Sequence, residues 1–290
     1  MNLINTQMEN EMNWMDYSVY CGDSVKLYHG DCLEIMDLMI EDKTKVDMIL
    51  CDLPYGTTQN KWDVIIPLDK LWSKYEKVIK PNGAIVLFAQ TPFDKILGCS
   101  KLDLLKYEFI WDKVRGSGFL NANKQPIKRH ENILVFYKKQ PTFNKQMKRR
   151  NPNAHSLGKV ENYTKDSGSV EVSNYGYIKN KKRSVYENRD EKNPDTIIEI
   201  TKGNNMGKYK TIHPTQKPVE LMEYLIKTYT NEGETVLDNC IGSGTTAVAC
   251  QNTGRECIGI EKDKTYFDLA TKRLNDIWSE KLNKQVNELF

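Results

Sequence analysis

A glycine-rich turn, Asp238-Asn239-Cys240-Ile241-Gly242-Ser243-Gly244-Thr245-Thr246-Ala247, joins a predicted strand at residues 235–237 to a predicted helix at residues 245–252. Gly242, Gly244 and Ala247 fit the pattern G-x-G-x-x-G/A, in which glycines let the backbone approach a ligand at a helix N-terminus. Glu261 ends the next predicted strand, where a carboxylate can accept hydrogen bonds from ribose hydroxyls. The turn therefore predicts a site for an adenosine-containing cofactor, with NAD and S-adenosylmethionine both open. A tight turn without a ligand is the alternative.

On both sides of this turn, strands and helices alternate along most of the chain. In the first half, strands are predicted at residues 46–51, 84–89, 107–111 and 133–137, with helices at 68–79 and 92–105. In the second half, helices begin near residues 218, 245 and 263, and strands lie at 235–237 and 257–260. This alternation predicts an α/β fold of the Rossmann-like type, with a mostly parallel, doubly wound sheet.

Charge is distributed unevenly along the 290 residues. Residues 138–210 contain 17 Lys and Arg against 8 Asp and Glu, a net charge of +9 that leaves −6 for the rest of the chain. We predict a basic insert at residues 138–210 within a core formed by residues 17–137 and 211–290, and disorder at residues 1–16. The insert suits a polyanionic partner, although a solvated basic loop is the alternative.

Several classes of protein are not expected from the composition. The longest apolar runs, such as residues 84–89, are about six residues long, whereas a membrane-spanning helix needs ~20. The N-terminal residues lack the basic and apolar regions of a secretory signal, so we predict a cytoplasmic protein that does not enter membranes. The seven cysteines form no C-x-x-C pair and the four histidines are scattered, so no metal is expected.

A second loop, Asp52-Leu53-Pro54-Tyr55, follows the predicted strand at residues 46–51. A carboxylate, a backbone made rigid by proline and an aromatic ring at the carboxyl end of a strand can hold a planar base that carries an exocyclic amine. The alternative is an ordinary turn at the end of a strand, with Tyr55 in the core.

These motifs together resemble the amino-methylating DNA methyltransferases (N4/N6, D12-like), specifically the permuted beta group, in which a D-P-P-Y loop precedes the glycine loop. The matching segments, in chain order, are HGDCLE at 29–34, DLPY at 52–55, WDK at 111–113, HENILVF at 130–136, HPTQKP at 213–218 and the glycine loop at 238–246. The resemblance covers roughly residues 19–137 and 211–275. The insert has no counterpart that we recognise, as expected of a target-recognition region.

The resemblance implies methyl transfer from S-adenosylmethionine to the exocyclic N6 of an adenine flipped out of double-stranded DNA. Asp52 and the carbonyl of Pro54 would each accept a hydrogen of the amine, and Tyr55 would stack on the base. Leu53 stands where the family usually has proline, so this position regains a backbone N–H and a free φ angle.

The same resemblance assigns the cofactor site. Asp31 would contact the adenine of the cofactor and Glu261 its ribose hydroxyls. The other predicted cofactor-binding residues are Cys32, Thr215, Gln216, Lys217, Asp238, Cys240, Gly242, Ser243, Gly244, Thr245 and Thr246.

The expected partner is double-stranded DNA, and further expectations are a cognate restriction endonuclease and a homodimer. Basic side chains of the insert are predicted to contact DNA phosphates, so affinity should fall as salt rises. They are Lys145, Lys148, Arg149, Arg150, Lys181, Lys182 and Arg183.

Other functions stay open from the sequence. An N4-cytosine or RNA-directed methyltransferase would share this core, but Asp52 favours adenine because the family's N4-cytosine enzymes mostly begin this loop with serine. C5-cytosine chemistry is excluded because it needs a Pro-Cys motif, which the chain lacks. An inactive nucleic-acid-binding protein is suggested only by Leu53. A nicotinamide-dependent dehydrogenase would explain the glycine loop and Glu261, but neither the DLPY loop nor the HPTQKP segment.

Overall fold

The computed structural model describes residues 18–20, 24–57, 63–149, 172–173, 176–177, 191–201 and 216–288. The disorder predicted for residues 1–16 lies outside the described residues. The chain divides into two compact units, a larger one formed by Met1–Asn144 with Asp195–Phe290 and a smaller one formed by Lys145–Pro194.

The larger unit is built on one nine-stranded sheet. Its strands are β1 (Ser18–Tyr20), β2 (Val25–His29), β3 (Val46–Asp52), β4 (Ile79–Ala89), β5 (Leu105–Ser117), β6 (Lys128–Phe136), β11 (Ile197–Glu199), β12 (Thr235–Asp238) and β13 (Glu256–Glu261). The smaller unit contains two pairs of two-residue strands, β7 (Lys148–Arg149) with β10 (Glu191–Lys192), and β8 (Val172–Ser173) with β9 (Gly176–Tyr177).

The strand order in the large sheet is β1-β2-β13-β12-β3-β4-β6-β5-β11. The pairings from β2 through β13, β12 and β3 to β4 are all parallel, as is that of β5 with β11. The pairs β1–β2, β4–β6 and β5–β6 are antiparallel. The prediction of a mostly parallel sheet is therefore confirmed.

Helices cover both faces of this sheet. They are α1 (Cys32–Glu41), α2 (Leu68–Val78), α3 (Phe93–Ser100), α4 (Val219–Tyr229), α5 (Thr245–Thr253) and α6 (Lys264–Glu288). Met36, Tyr75 and Leu97 from the first three helices belong to one buried apolar cluster, whereas Leu225 and Val248 from α4 and α5 belong to another. Each apolar stripe thus packs on its own face of the sheet, as a doubly wound fold requires. No helix in the described part of the chain is long and apolar enough to cross a membrane.

The structure corrects the predicted bounds of the basic insert. Strand β11 pairs in parallel with β5, with Ile197 opposite Ile110, and Ile198 and Ile200 are buried in the core. Residues 195–201 therefore belong to the large unit, and the second unit is narrower than the predicted residues 138–210. The net charge of the segment did not indicate this strand, because the two isoleucines of β11 are uncharged.

Candidate active site

The carboxyl ends of five neighbouring parallel strands, β2, β13, β12, β3 and β4, meet at one edge of the sheet. Strands β12 and β3 are parallel neighbours, with Leu237 opposite Ile49, so the glycine loop and the DLPY loop leave the sheet side by side. A cavity of about 730 Å³ opens at this edge and is lined by residues of both loops. This edge is where parallel α/β sheets commonly bind ligands. The cavity therefore brings together the two motifs that the sequence singled out.

The glycine loop needs glycine at two positions for reasons of backbone geometry. Gly242 and Gly244 have φ angles of +52° and +78°, a region that L side chains rarely adopt. Gly244 also precedes the first residue of α5, and a Cβ atom there would lie 3.3 Å from the Cβ of Ala270. The loop thus brings bare backbone to the N-terminus of α5 at the cavity wall.

Asp238 fixes the start of this loop. Its Oδ1 accepts a hydrogen bond from the backbone N–H of Cys240 (3.1 Å), and its Oδ2 accepts one from the hydroxyl of Thr246 (2.5 Å). Burial raises the pKa of Asp238 to about 6, although these two donors act in the opposite direction. The carboxyl of Asp238 is therefore a structural group of the loop that titrates near neutral pH.

Glu261 lies at the end of β13, facing the glycine loop. Its Oε2 accepts from the N–H of Gly242 (2.9 Å) and its Oε1 from the N–H of Asp263 (2.8 Å). Burial raises the pKa of this carboxyl, although backbone N–H donors act in the opposite direction. Each oxygen accepts one of these bonds and keeps a further lone pair for a ligand hydroxyl.

Asp31 caps helix α1 beside the same cavity. Its Oδ1 accepts from the N–H of Leu33 (2.9 Å), and the Lys262 ammonium donates to its Oδ2 (3.0 Å). Partial burial would raise the pKa of Asp31, but Lys262 and the N–H of Leu33 hold it below its usual value. Asp31 is therefore an ionised acceptor at the cavity edge.

Gln216 and Ser243 connect the segment before α4 to the glycine loop, because the hydroxyl of Ser243 donates to Oε1 of Gln216 (3.4 Å). Arg273, on α6, donates from Nη1 to the carbonyl of Ser243 (2.8 Å) and contacts the hydroxyl of Thr245 (3.3 Å). Sequence reasoning did not identify Arg273, because one arginine on an amphipathic helix carries no motif. Thr215, predicted to bind the cofactor, lies outside the described residues.

Cys32 and Cys240 also line the cavity, and the two thiols share a hydrogen bond. That bond and burial raise the pKa of Cys32, and burial raises the pKa of nearby Cys51 to about 12. The thiols are therefore neutral packing groups rather than nucleophiles. Six described cysteines are free, and no group of three or more potential ligands is placed to bind a metal in the described residues.

The DLPY loop places a carboxylate and an aromatic ring together at the end of β3. The Tyr55 hydroxyl donates to Oδ1 of Asp52 (2.6 Å), and the Tyr55 ring stacks on Phe93 with centroids 5.4 Å apart. Burial, reinforced by the Asp52 carboxylate, raises the pKa of Tyr55, so its hydroxyl stays protonated. Leu53 is buried in the apolar cluster on the α1–α3 face, so its side chain anchors the loop. Pro54 is half-buried and lines the cavity.

The turn that follows this loop is organised by another carboxylate. Oδ1 and Oδ2 of Asp63 accept from the N–H groups of Gly56 (2.8 Å) and Thr57 (2.9 Å). Asp63 is 7% exposed and lines the cavity. It thereby fixes the backbone just beyond Tyr55, a role that its position in a polar segment did not suggest.

Lys217 occupies an unexpected place in the cavity. Its ammonium lies 2.5 Å from Oδ2 of Asp52 and 3.3 Å from Oε2 of Glu131, and the side chain is 7% exposed. Burial alone would lower the pKa of Lys217, but the carboxylates of Asp52 and Glu131 together hold it above its usual value. Lys217 thus stands on the DLPY side of the cavity as a permanent cation, and its predicted contact with a cofactor stays a prediction.

Glu131 and Lys113 complete a buried group of four charges with Asp52 and Lys217. The Lys113 ammonium lies 2.5 Å from Oε1 of Glu131. Burial would raise the pKa of Glu131, but Lys217 and Lys113 hold it below its usual value. Lys113 and Glu131 belong to motif segments, WDK and HENILVF, that are far apart in the chain. They face each other because Trp111 pairs with Glu131 across the antiparallel strands β5 and β6.

The predicted DNA-binding residues fall in the smaller unit. Lys148 and Arg149 form β7, and the Lys145 ammonium donates to Oδ1 of Asn193 (3.4 Å). Arg149 is exposed, with Glu191 as its partner across the strand pair. The other four, Arg150, Lys181, Lys182 and Arg183, lie outside the described residues.

With this fold and cavity, the chain belongs to the N6/N4 DNA methylase family, since residues 46–272 match the family model described as DNA methylase. It is similar to the type II methyltransferase M.HpaI of Haemophilus parainfluenzae, with 26% identity over 95% of this chain and 81% of the relative. It is also similar to the DNA adenine methyltransferase YhdJ of Escherichia coli, with 26% identity over 86% of this chain and 82% of the relative.

A crystal structure of an M1.HpyAVI–SAM complex superimposes with a TM-score of 0.59 and 27% identity, over 86% of this chain and 99% of the other. The resemblance to the amino-methylating DNA methyltransferases is therefore confirmed.

Proposed function

We propose that this chain transfers a methyl group from S-adenosylmethionine to the exocyclic N6 of an adenine in double-stranded DNA. The observation that carries the proposal is that one cavity contains Asp52 and Tyr55 on one side and the glycine loop with Glu261 on the other. Membership of the DNA methylase family, an adenine-specific relative and a related structure solved with SAM support it.

The residues around the glycine loop fit the cofactor. S-adenosylmethionine, when bound, supplies an electrophilic methyl group on its sulfonium. The cavity volume of about 730 Å³ lies within the range of pockets that enclose ligands of this size. Glu261 keeps lone pairs that can accept hydrogen bonds from the ribose hydroxyls, and Asp31 is an ionised acceptor for the adenine amine. Gly242 and Gly244 have no side chains, which leaves space at the loop for the methionine end of the cofactor. Gln216 adjoins the same loop through Ser243.

On the other side of the cavity, Asp52 and Pro54 would act on the target amine. This amine is a poor nucleophile because its lone pair is delocalised into the base. If the Asp52 carboxylate and the Pro54 carbonyl each accept one of its hydrogens, the lone pair turns toward the methyl group. Fixed acceptors also stabilise the positive charge that develops on the nitrogen, and Asp52 can then take the proton. Tyr55 supplies the ring against which the extruded base stacks.

Each oxygen of Asp52 already has one hydrogen-bond partner, so the target amine must either share an oxygen with that partner or replace it. Tyr55 occupies Oδ1 and Lys217 occupies Oδ2. We infer that the target amine replaces Lys217, because Oε2 of Glu131 lies 3.3 Å from the ammonium and makes no other hydrogen bond. Glu131 is then the acceptor that keeps the displaced ammonium paired inside the cavity. Leu53 takes no part in the replacement of Lys217 by the target amine. The presence of leucine where the family usually has proline therefore leaves the proposed reaction unchanged.

The basic residues of the smaller unit are proposed to contact DNA phosphates. Lys145 and Arg149 carry exposed positive charge there, and each phosphate that they neutralise would steepen the fall of affinity with salt. A cognate endonuclease and a homodimer stay predictions.

The identity of the methylated nucleoside tests this function. The chain is incubated with unmethylated genomic DNA and S-adenosylmethionine that carries a labelled methyl group, and the DNA is digested to nucleosides. We expect N6-methyladenine. N4-methylcytosine would contradict the choice of base, and a label found only in an RNA substrate would contradict the choice of nucleic acid. A dehydrogenase would instead be revealed if NAD, and not S-adenosylmethionine, raised the melting temperature.

A further inference from the structure

The hairpin formed by β5 and β6 ends in two exposed apolar side chains. Beyond the last cross-strand pair, Ser117 with Lys128, the chain forms a short 3-10 helix over Phe119–Asn121. Phe119 is 67% exposed and Leu120 is fully exposed. Gly118, which precedes them, has no atom within 4 Å of the position of a Cβ. Two adjacent large apolar side chains held away from the rest of the described structure indicate a contact surface for a partner.

The same two strands form part of the candidate active site. Trp111 of β5 and Glu131 of β6 are cross-strand partners, and both line the cavity. From Trp111, strand β5 continues to Ser117 while its partner strand advances only from Glu131 to Lys128, about 10 Å at the usual rise per residue, because β5 bulges between Asp112 and Ser117. The hairpin is therefore one continuous element that reaches from the wall of the cavity to the apolar tip.

A chain of hydrogen bonds also connects the hairpin to the loop that carries Tyr55. Lys128, beside the tip, donates to Oε1 of Gln90, whose amide donates to the hydroxyl of Thr57 (3.2 Å). Gln90 and Thr57 both line the cavity. A partner that touches the tip would thus lie next to the side of the cavity that is proposed to receive the target base.

The bend at the base of the hairpin is held in a strained conformation. Val114 has a φ angle of +64°, which is rare for a β-branched residue. The Asp112 carboxylate accepts from the N–H of Val114 (2.7 Å) and from Nε and Nη2 of Arg129 (both 2.6 Å). Strain of this kind persists where the surrounding contacts enforce it, often at binding and catalytic sites. The direction of the tip is therefore fixed by specific contacts.

The charge of the hairpin complements a polyanion. Residues 113–129 contain five basic residues and no Asp or Glu. Among them, Arg115 and Lys124 are exposed, one before and one after Phe119 and Leu120 in the sequence. An apolar tip flanked by cations suits duplex DNA, because the cations meet phosphates while the apolar side chains meet stacked bases.

We propose that Phe119 and Leu120 form a wedge that enters duplex DNA and fills the space left in the base stack by the extruded adenine. This inference rests on the proposed function. Apolar side chains inserted between bases are an established means of deforming DNA, and base extrusion leaves an unstacked gap that they can occupy. The wedge would lower the free energy of the extruded state without any contact with the methylated nitrogen.

The test uses the double variant Phe119→Ala/Leu120→Ala. The matched control is Ile96→Ala/Leu102→Ala, which removes two other exposed apolar side chains (51% and 64% exposed) from the large unit. Substrates are duplexes that contain the site methylated in genomic DNA, either fully matched or with a mismatch at the target adenine. A third duplex carries 2-aminopurine at the target position, where a rise in fluorescence reports extrusion.

On matched duplex, the double variant should lose at least about tenfold in kcat/KM, because extrusion costs a few kcal/mol without the wedge. On the mismatched duplex, where extrusion costs less, the loss should be several times smaller. The fluorescence rise should be reduced, while the thermal shift given by S-adenosylmethionine and the behaviour of the control variant stay as in the wild type.

Two results would count against the proposal and are distinguishable. Equal losses on matched and mismatched duplex, or wild-type activity and fluorescence in the double variant, would refute the wedge while leaving the methyltransferase intact. The absence of methylated adenine with the wild-type chain would instead contradict the proposed function, and the wedge with it.

Discussion

Replacing Lys217 with methionine is expected to destabilise the fold by leaving two carboxylates without their shared cation. The ammonium lies 2.5 Å from Asp52 and 3.3 Å from Glu131. Breaking a buried ion pair by removing one partner costs about 3–5 kcal/mol, because the remaining charge stays buried. The Asp52 side chain is 25% exposed, so water compensates part of the loss, and we expect about 3 kcal/mol, at the lower end of that range.

Urea unfolding at pH 7 measures this change. The matched control is Lys70→Met, which replaces an exposed lysine on α2 and should change the free energy of unfolding by less than about 0.5 kcal/mol. If Lys217→Met unfolds at the same urea concentration as the wild type, the ammonium does not stabilise this group of charges, and the proposed exchange at Asp52 loses its basis.

The dependence on pH gives a second check with a definite sign. The folded pKa of Glu131 is held below its usual value, so its contribution to stability is present above the unfolded value of about 4.3 and is lost as the pH falls through the folded pKa. As the pH falls through that folded pKa, protonation removes the attraction of Glu131 for Lys217. The stability difference between the wild type and Lys217→Met should therefore shrink in acid. A difference that stays constant from pH 7 to pH 3 would contradict this explanation.

Three further predictions concern the two sides of the cavity. Glu131→Gln should lower kcat on DNA about tenfold, because the displaced ammonium of Lys217 would lack a carboxylate acceptor. The affinity for S-adenosylmethionine should stay unchanged. Steady-state kinetics that match the wild type would contradict the replacement of Lys217 by the target amine at Asp52. Gly244→Ala should weaken cofactor binding, measured by titration calorimetry, and should lower the free energy of unfolding more than Gly233→Ala does. Gly233 has the same φ of +78°, but no atom lies near the position of an added Cβ. Equal losses of stability in the two variants would exclude crowding against Ala270. Asp238→Asn should flatten the dependence of stability on pH between about pH 4 and pH 6. The folded pKa of Asp238 is about 6, so the protonated carboxyl stabilises the fold at low pH, and this contribution is lost as the pH rises through that value. An unchanged dependence on pH in urea unfolding would show that Asp238 does not titrate in this range.

The parts of the fold that the sequence predicted well are those set by local patterns. Helix α2 begins at the predicted residue and ends one residue before the predicted end. The turn from β12 to α5 has glycine where φ is positive, so the residue types of the turn are enough to predict its backbone conformation. By contrast, β5 extends to Ser117 rather than residue 111, and α3 ends at Ser100 rather than residue 105. These ends depend on the pairing of β5 with β6, which the apolar periodicity of either segment does not encode.

The residues of the candidate active site were predicted to a similar extent. Motif spacing identified the two loops, because each needs particular residue types at a particular strand end. It did not reveal that Lys217 pairs with Asp52, or that Glu131 lies between two lysines, because these contacts join segments that are distant in the chain. The wedge was missed for another reason, since Phe119 and Leu120 belong to a short loop without periodicity, and only their exposure distinguishes them.

The central claim is that Asp52, in a cavity shared with the cofactor loop, carries out methyl transfer to adenine. Its most direct test compares the wild type with Asp52→Asn in one assay of labelled methyl transfer to unmethylated DNA, with the affinity for S-adenosylmethionine measured in parallel by calorimetry. We expect N6-methyladenine from the wild type, a loss of at least about a hundredfold in the variant, and cofactor affinity within about twofold of the wild type. Retention of N6-methyladenine formation by Asp52→Asn, with the cofactor still bound, would contradict the account.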